Sequence, residues 1–358
     1  MKDQHKFLHI VKERPNQMFV LATVIRVDGS AYRHEGAKML ISETGEEFGL
    51  ISGGCLEEDL SLKAQEVMES KQTQIISYDL RAEDDLGWGQ GAGCNGKVTI
   101  YLEPLNWKKD SVEKGWSFVL EELEKGKEIV SIRFVGDNTQ SGDSFFFKED
   151  GECIQGISSL SRSNDMEVAH RQFIRSGEKF AYLDQEKVDN SLLFEVYEPK
   201  NTLYLFGAGR DVEPLVKRAA EFNFSTIIVD PRVSRNRKEI FPDASACVCE
   251  HPETFMENYV LKRNSYILIM THSFSKDRFL LTSLLSMKEQ LAYLGILGPT
   301  RRTKKLLNGK DIPSWLHSPI GIDIEAEGPE EISISVIAEL IKTRNTRNLH
   351  RKEKLVVM

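Results

Sequence analysis

The stretch "TLYLFGAGRDVEPLVKRAAEF", followed at once by "NFSTIIVDPR", narrows the folds open to this chain more than any other. An apolar strand ends in Gly207 and Gly209 and passes into a helical period; a second strand closes on Asp230, 21 residues after Gly209. That order matches a βαβ dinucleotide-binding unit. Glycines let the backbone approach a pyrophosphate at a helix N-terminus, and the acid takes a ribose hydroxyl.

From residue 202 the same pattern continues, with apolar runs ("SYILIM", "YLGILG") alternating with helical periods ("KDRFLLTSLLSMKEQ", "EEISISVIAELIK"). It predicts a Rossmann-like, doubly wound parallel sheet. The third glycine of the dinucleotide pattern is replaced by Val212, flanked by Asp211 and Glu213. Their carboxylates oppose a phosphate at the helix start, and Arg210 offsets them in part. Two readings of the turn stand: a seat for a nucleotide or pterin phosphate, or an unoccupied scaffold in which Asp230 is an ordinary strand-ending acid. Parallel sheets build sites at the carboxyl ends of their strands. There "IMTHSFSKD" supplies Thr271, His272 and Asp277. "LGILGPTRRTKKLL" supplies Gly295 and Gly298, with Arg301 and Arg302 at a helix start, either clamping an anion or facing solvent.

Residues 18–106 predict strands at "MFVLATVIRV", "AKMLIS", "EFGLIS", "TQIISYDL" and "KVTIYLEP", and a helix over 56–68 after the turn "SGGC". A second helical segment, "VEKGWSFVLEELEKG", opens a polar stretch to about residue 190 that carries little signal. We assign it as an elaboration of the first domain. The expected organisation is α/β overall: a mixed α+β domain over 1–195, then a Rossmann-like domain over 196–358, hinged at "EVYEPKN". The basic tail "KTRNTRNLHRKEK" is expected to be solvated and frayed.

At 358 residues two domains are the natural expectation. Hydrophobic and charged shares of 40% and 28% are those of a soluble globular protein. A net charge of −8 argues against nucleic acid or anionic membrane as a partner. No apolar run approaches the length of a membrane span, and the scattered charges of "MKDQHKFLHIVKERP" do not make a secretory signal. Five irregularly spaced cysteines do not form a disulfide framework, so a reduced, cytoplasmic protein is expected.

Two of those cysteines sit in glycine turns. Cys55 lies in "GLISGGCLEEDL", and Cys94 lies in "GWGQGAGCNGKVTI". Glycine strips side-chain bulk from around a thiol, which suits thiolate chemistry or ligation of a soft metal; the alternative is a small buried residue in a tight turn. A following helix favours the Cys55 thiolate, and Glu57 and Glu58 oppose it. Cys153, Cys247 and Cys249 lack the glycine setting and are expected in the core.

"LATVIRVDGSAYRHEGAKMLI", "GLISGGCLEEDL", "GAGCNGKVTIYLEP", "LYLFGAGRDVEP", "VDPR", "MTHSFSKD", "YLGILGPTRRTKKLL" and "SPIGIDIEAEGPEEISISVIAELI" occur in one order. Over roughly 15–106 and 200–342 the chain resembles the XdhC/CoxI family of xanthine dehydrogenase accessory proteins. The resemblance implies a maturation factor. It would bind the molybdenum cofactor (molybdopterin) as cargo, hold it while a cysteine desulfurase partner supplies sulfur, and pass it to an apo molybdenum hydroxylase. By motif position it implies that Ser30, Gly53, Gly54, Cys55, Glu57, Cys94, Gly207, Gly209, Asp230, Arg232, Thr271, His272, Asp277, Gly295 and Gly298 line the functional surfaces, with Cys55 and Cys94 toward the metal. This chain has Cys94-Asn95-Gly96 where the family has Cys-Gly-Gly, and Arg210 where the family has a histidine. A homo-oligomer, a dimer, is expected.

Two functions compete with this one. An NAD(P)-dependent oxidoreductase would use Gly207, Gly209 and Asp230 for its cofactor and His272 as acid or base. A docking protein would carry no cofactor at all. A xanthine dehydrogenase performing its own chemistry is excluded, because five scattered cysteines cannot supply its iron–sulfur motifs.

Overall fold

The computed structural model describes residues 4–81, 96–107, 110–136, 144–157, 164–184 and 191–356. The chain divides into two compact units, Met1–Pro199 with Leu355–Met358, and Lys200–Lys354.

The first unit begins α1 (Gln4–Glu13), β1 (Met18–Gly29), β2 (Lys38–Ser42), β3 (Glu47–Gly49), α2 (Glu57–Ser70), β4 (Gln74–Asp79) and β5 (Gly96–Asn106). It continues α3 (Asp110–Glu124), β6 (Ile129–Val135), β7 (Ser144–Lys148), β8 (Cys153–Ile157), α4 (Asn164–Ser176), β9 (Phe180–Leu183) and β10 (Ser191–Tyr197). Two antiparallel sheets result, ordered β3-β2-β1-β5-β4 and β8-β7-β6-β10-β9. Strand β1 reads as one apolar run because both its faces are covered. Val20, Ala22 and Val24 pack with Leu60, Ala64 and Val67 of α2, while Phe19 and Leu21 pack with Phe7 and Leu8 of α1 and Trp116 of α3.

The second sheet lies in the stretch from which the sequence predicts little. Its central strands bury charge, which breaks the apolar pattern: Arg133 on β6 and Glu195 on β10 are both fully buried. Arg133 donates to Glu195 at 2.7 Å and to Glu103 on β5, and Lys38 on β2 lies 3.2 Å from the same Glu195. Tyr197 and Gln4 also donate to Glu195, and Lys38 Nζ donates to Thr23 Oγ1. The network joins the two sheets through paired buried ions.

The second unit runs β11 (Asn201–Phe206), α5 (Glu213–Glu221), β12 (Phe224–Val229), β13 (Ala246–Val248), α6 (Pro252–Asn258), β14 (Ser265–Ile269), α7 (Phe274–Leu285), β15 (Leu291–Ile296), α8 (Thr300–Leu306), β16 (Leu316–His317) and α9 (Gly328–Val356). Its six strands are all parallel, in the order β13-β12-β11-β14-β15-β16. This is the expected Rossmann-like sheet, with its topological switch point between β11 and β14. Leu203 and Leu205 of β11 pack toward α5 and α9, and Tyr204 and Phe206 pack toward α6 and α7. Alternate side chains of one strand therefore serve two helical layers.

Two expectations are corrected. The basic tail is not frayed, since α9 continues to Val356, and Arg344 and Arg347 bond the carbonyls of Phe222 and Leu291. Cys249 is not core: it is exposed at the end of β13, its thiol 3.2 Å from the Asn236 carbonyl oxygen. No helix among the described residues is long and apolar enough to cross a membrane.

Candidate functional site

Cys55 is exposed on the turn entering α2, and the turn is held from inside by Glu57. The Glu57 carboxylate, 7% exposed, accepts from the backbone N–H groups of Ile51 (3.2 Å), Ser52 (2.7 Å), Gly54 (3.1 Å) and Leu56 (3.2 Å), and from the Ser52 hydroxyl. Ser52 Oγ in turn accepts from the N–H groups of Cys55 and Leu56, each at 3.0 Å. Gly54 has φ +107°, a conformation open to glycine, which lets the chain wrap the carboxylate. Burial pushes the Glu57 acid up, but hydrogen bonds from the Ser52 side chain and the surrounding backbone outweigh it and hold its pKa below the ordinary value. Glu57 therefore faces the turn rather than a ligand. Cys55 is the group left outward.

Ser30 lies exposed just beyond β1, and Gly96 opens β5 opposite Gly29. A Cβ at Gly96 would come within 2.8 Å of the Ser30 nitrogen, so glycine is required by this close approach. Gly53 faces the exposed ring of Tyr32, about which the sequence carries no signal. Cys94, two residues before Gly96, lies outside the described residues. No group of three or more His, Cys, Asp or Glu suited to a metal ion occurs among the described residues.

In the second unit the glycines of the turn are used internally. Gly207 has φ +124°, and a Cβ there would overlap the Met270 carbonyl oxygen. At Gly209 the place a Cβ would take is filled by Asp211 Oδ1. The other Asp211 oxygen meets His272 Nε2 at 2.9 Å, bridging the ends of β11 and β14. Asp230 is likewise occupied. Its Oδ1 accepts from the Arg232 backbone (2.9 Å) and Nε (2.8 Å), and its Oδ2 from Ala208 N–H (2.9 Å) and Arg232 Nη2 (2.7 Å). Burial raises the Asp230 acid, but the Arg232 bonds outweigh it and its pKa is lowered.

These residues do not fit NAD or NADP. Asp211 stands where a diphosphate approaches Gly209, and no Asp230 lone pair is free for a ribose hydroxyl. Replacing Gly207 with Ala is expected to destabilise the second unit by about 2–3 kcal/mol or more, because both φ and the Met270 carbonyl oppose a Cβ. A lowered thermal midpoint checks this.

His272, Asp277 and Gly298 line a pocket of about 290 Å³ past the ends of β14 and β15, with Arg302, and Thr271 bonds Asp277 without lining it. Gly295 is not part of it. A Cβ there would strike Ile320 and Tyr293, so this glycine serves packing.

An exposed, glycine-framed thiol on an antiparallel α+β unit and a Rossmann-type sheet whose dinucleotide turn is occupied by Asp211 characterise the two units. A model of the XdhC and CoxI family matches residues 13–79, and one of the XdhC Rossmann domain matches 203–340. A Bacillus subtilis (strain 168) protein, named as a probable subunit of xanthine dehydrogenase, is 36% identical over 325 residues, 91% of this chain and 93% of that one. The chain belongs to the XdhC/CoxI family. A solved structure from Bacillus halodurans described as a xanthine dehydrogenase matches with a TM-score of 0.81 and 36% identity, covering 97% of each chain. The molybdenum cofactor insertion chaperone PaoD of Escherichia coli (strain K12) is 21% identical over 345 residues, 93% of this chain and 85% of PaoD.

Proposed function

We propose that this protein is an accessory factor of a xanthine dehydrogenase-type molybdenum hydroxylase, and that it carries the molybdenum cofactor as cargo. The observation that carries the reading is the outward Cys55 on a turn whose shape is set by Glu57 and Ser52. A thiolate is a soft donor suited to a molybdenum–dithiolene end, and one preorganised thiol suffices where the pterin supplies the other ligands. Ser30 packs against Gly96, and Cys94 is the second thiol of the proposal.

The family and the name of PaoD support this assignment. The partners are an apo hydroxylase and a cysteine desulfurase that sulfurates the cargo, and the working form is a dimer. Acting as a nicotinamide oxidoreductase is disfavoured by the occupied Asp230 and by the Asp211 carboxylate over Gly209.

Activation of a purified apo hydroxylase is the test. Hydroxylase activity is expected to rise when the cofactor-loaded chain is added, and to stay at background with the Cys55→Ala chain. Equal activation by both would remove the thiol from the account.

A further inference from the structure

The pocket past β14 and β15 is lined by Met270, His272, Asp277, Leu297, Gly298 and Arg302, with Pro299 at its edge. Asp277 is 1% exposed, and both its oxygens are engaged: Thr271 Oγ1 donates to Oδ1 at 2.5 Å, and Arg302 Nη2 donates to Oδ2 at 2.6 Å. The carboxylate is spent on orienting its neighbours. Arg302 keeps its Nε and Nη1 donors without a hydrogen-bond partner among the described residues, and its side chain remains 24% exposed. Gly298, at φ +122°, leaves room for this placement; a Cβ there would press on Arg302 Cδ at 3.3 Å.

His272 also lines the pocket. It holds a left-handed backbone at φ +57°, stabilised by the Ser273 N–H donating to Thr271 Oγ1 at 3.1 Å. Such conformations persist in non-glycine residues where the surroundings enforce them, and they cluster at ligand clamps. Its imidazole is tethered through Nε2 to Asp211, whose carboxylate does not line the pocket. A ligand entering here meets the unspent Arg302 nitrogens and a capped Asp277 carboxylate. The volume is at the small end of ligand pockets, which run about 300–1,000 Å³, too little for a dinucleotide.

We infer that this pocket binds the phosphate group of a small phosphomonoester, with Arg302 as the principal donor, the His272 imidazolium, its Nε2–H on Asp211, as the second through Nδ1–H, and Asp277 as the residue that positions Arg302. A planar guanidinium presents parallel N–H groups matched to phosphate oxygens, and the pocket lies where parallel sheets place ligands. The inference requires neither the Cys55 thiol nor molybdenum, so it can fail while the cargo proposal holds, and the reverse.

The test is calorimetric titration of the full chain at constant ionic strength with glycerol 3-phosphate, inorganic phosphate and NADH. Saturable binding of one glycerol 3-phosphate per chain is expected, at least as tight as inorganic phosphate. NADH is expected not to bind. Arg302→Lys keeps a cation beside Asp277 but loses the fork, and it should weaken binding about tenfold or more. His272→Asn, at an exposed side chain, should weaken binding with an unchanged melting midpoint. No saturable binding at millimolar ester, binding of inorganic phosphate without the ester, or wild-type affinity in folded Arg302→Lys and His272→Asn chains would overturn the inference.

Discussion

Replacing Arg133 with Met is expected to cost the first unit about 3–5 kcal/mol, the largest stability loss predicted for any single change in this chain. The guanidinium lies fully buried between Glu103 and Glu195, and its removal leaves two buried carboxylates and one lysine. Burial pushes the Lys38 amine down to about 8, with Arg133 adding to the effect and Glu195 opposing it. Lys38 pairs with Glu195 and not with Glu103, so it does not replace the bridging cation. Against a total domain stability of about 5–15 kcal/mol, this loss is a large fraction. Tryptophan fluorescence during urea unfolding reads it, because Trp107 and Trp116 are buried in the first unit. Removing partners together should be milder than the sum of single losses. The double change Arg133→Met with Glu195→Gln is expected to recover part of the lost stability, and an unfolding free energy within about 0.5 kcal/mol of wild type for Arg133→Met alone would contradict the buried network.

Glu57→Gln is expected to abolish cargo retention while leaving Cys55 chemically intact. The amide replaces one acceptor oxygen with an N–H₂ that faces the very donors the carboxylate gathered. Each buried donor left unmet costs about 1–3 kcal/mol. The turn at residues 51–56 should therefore open, with faster amide hydrogen exchange confined to it and to the first turn of α2. The pH dependence follows from the lowered Glu57 pKa. A depressed carboxyl contributes stability that is complete above its unfolded pKa and is lost as pH falls through the folded one. The turn should stay closed at neutral pH and open only in acid below the ordinary glutamate range. Protected amides in the Glu57→Gln chain at neutral pH would show that the carboxylate does not hold the turn.

The parallel sheet was legible because its evidence is local: apolar runs, glycine turns and Asp230 at a fixed distance from Gly209. The use of those glycines was not legible. Asp211 pairs with His272 across 61 residues, and nothing in "GAGRDVEP" indicates that its carboxylate rests over Gly209. The second antiparallel sheet was missed for a related reason, since Arg133 and Glu195 look like solvated positions until each is seen to be the other's partner across 62 residues. The glycine frame singles out Cys55, and the motif singles out Glu57. The role of Glu57 emerged only from the five bonds it accepts. Arg302, open between clamping an anion and facing solvent, is now placed on Asp277 at the rim of a pocket.

The most direct measurement of the central claim is the molybdenum and pterin content of the chain isolated from cells that synthesise the cofactor, compared with Cys55→Ala and Cys153→Ala chains prepared identically. The account predicts molybdenum and pterin together in the wild-type and Cys153→Ala proteins and neither in Cys55→Ala. Wild-type molybdenum in a folded Cys55→Ala chain would contradict it.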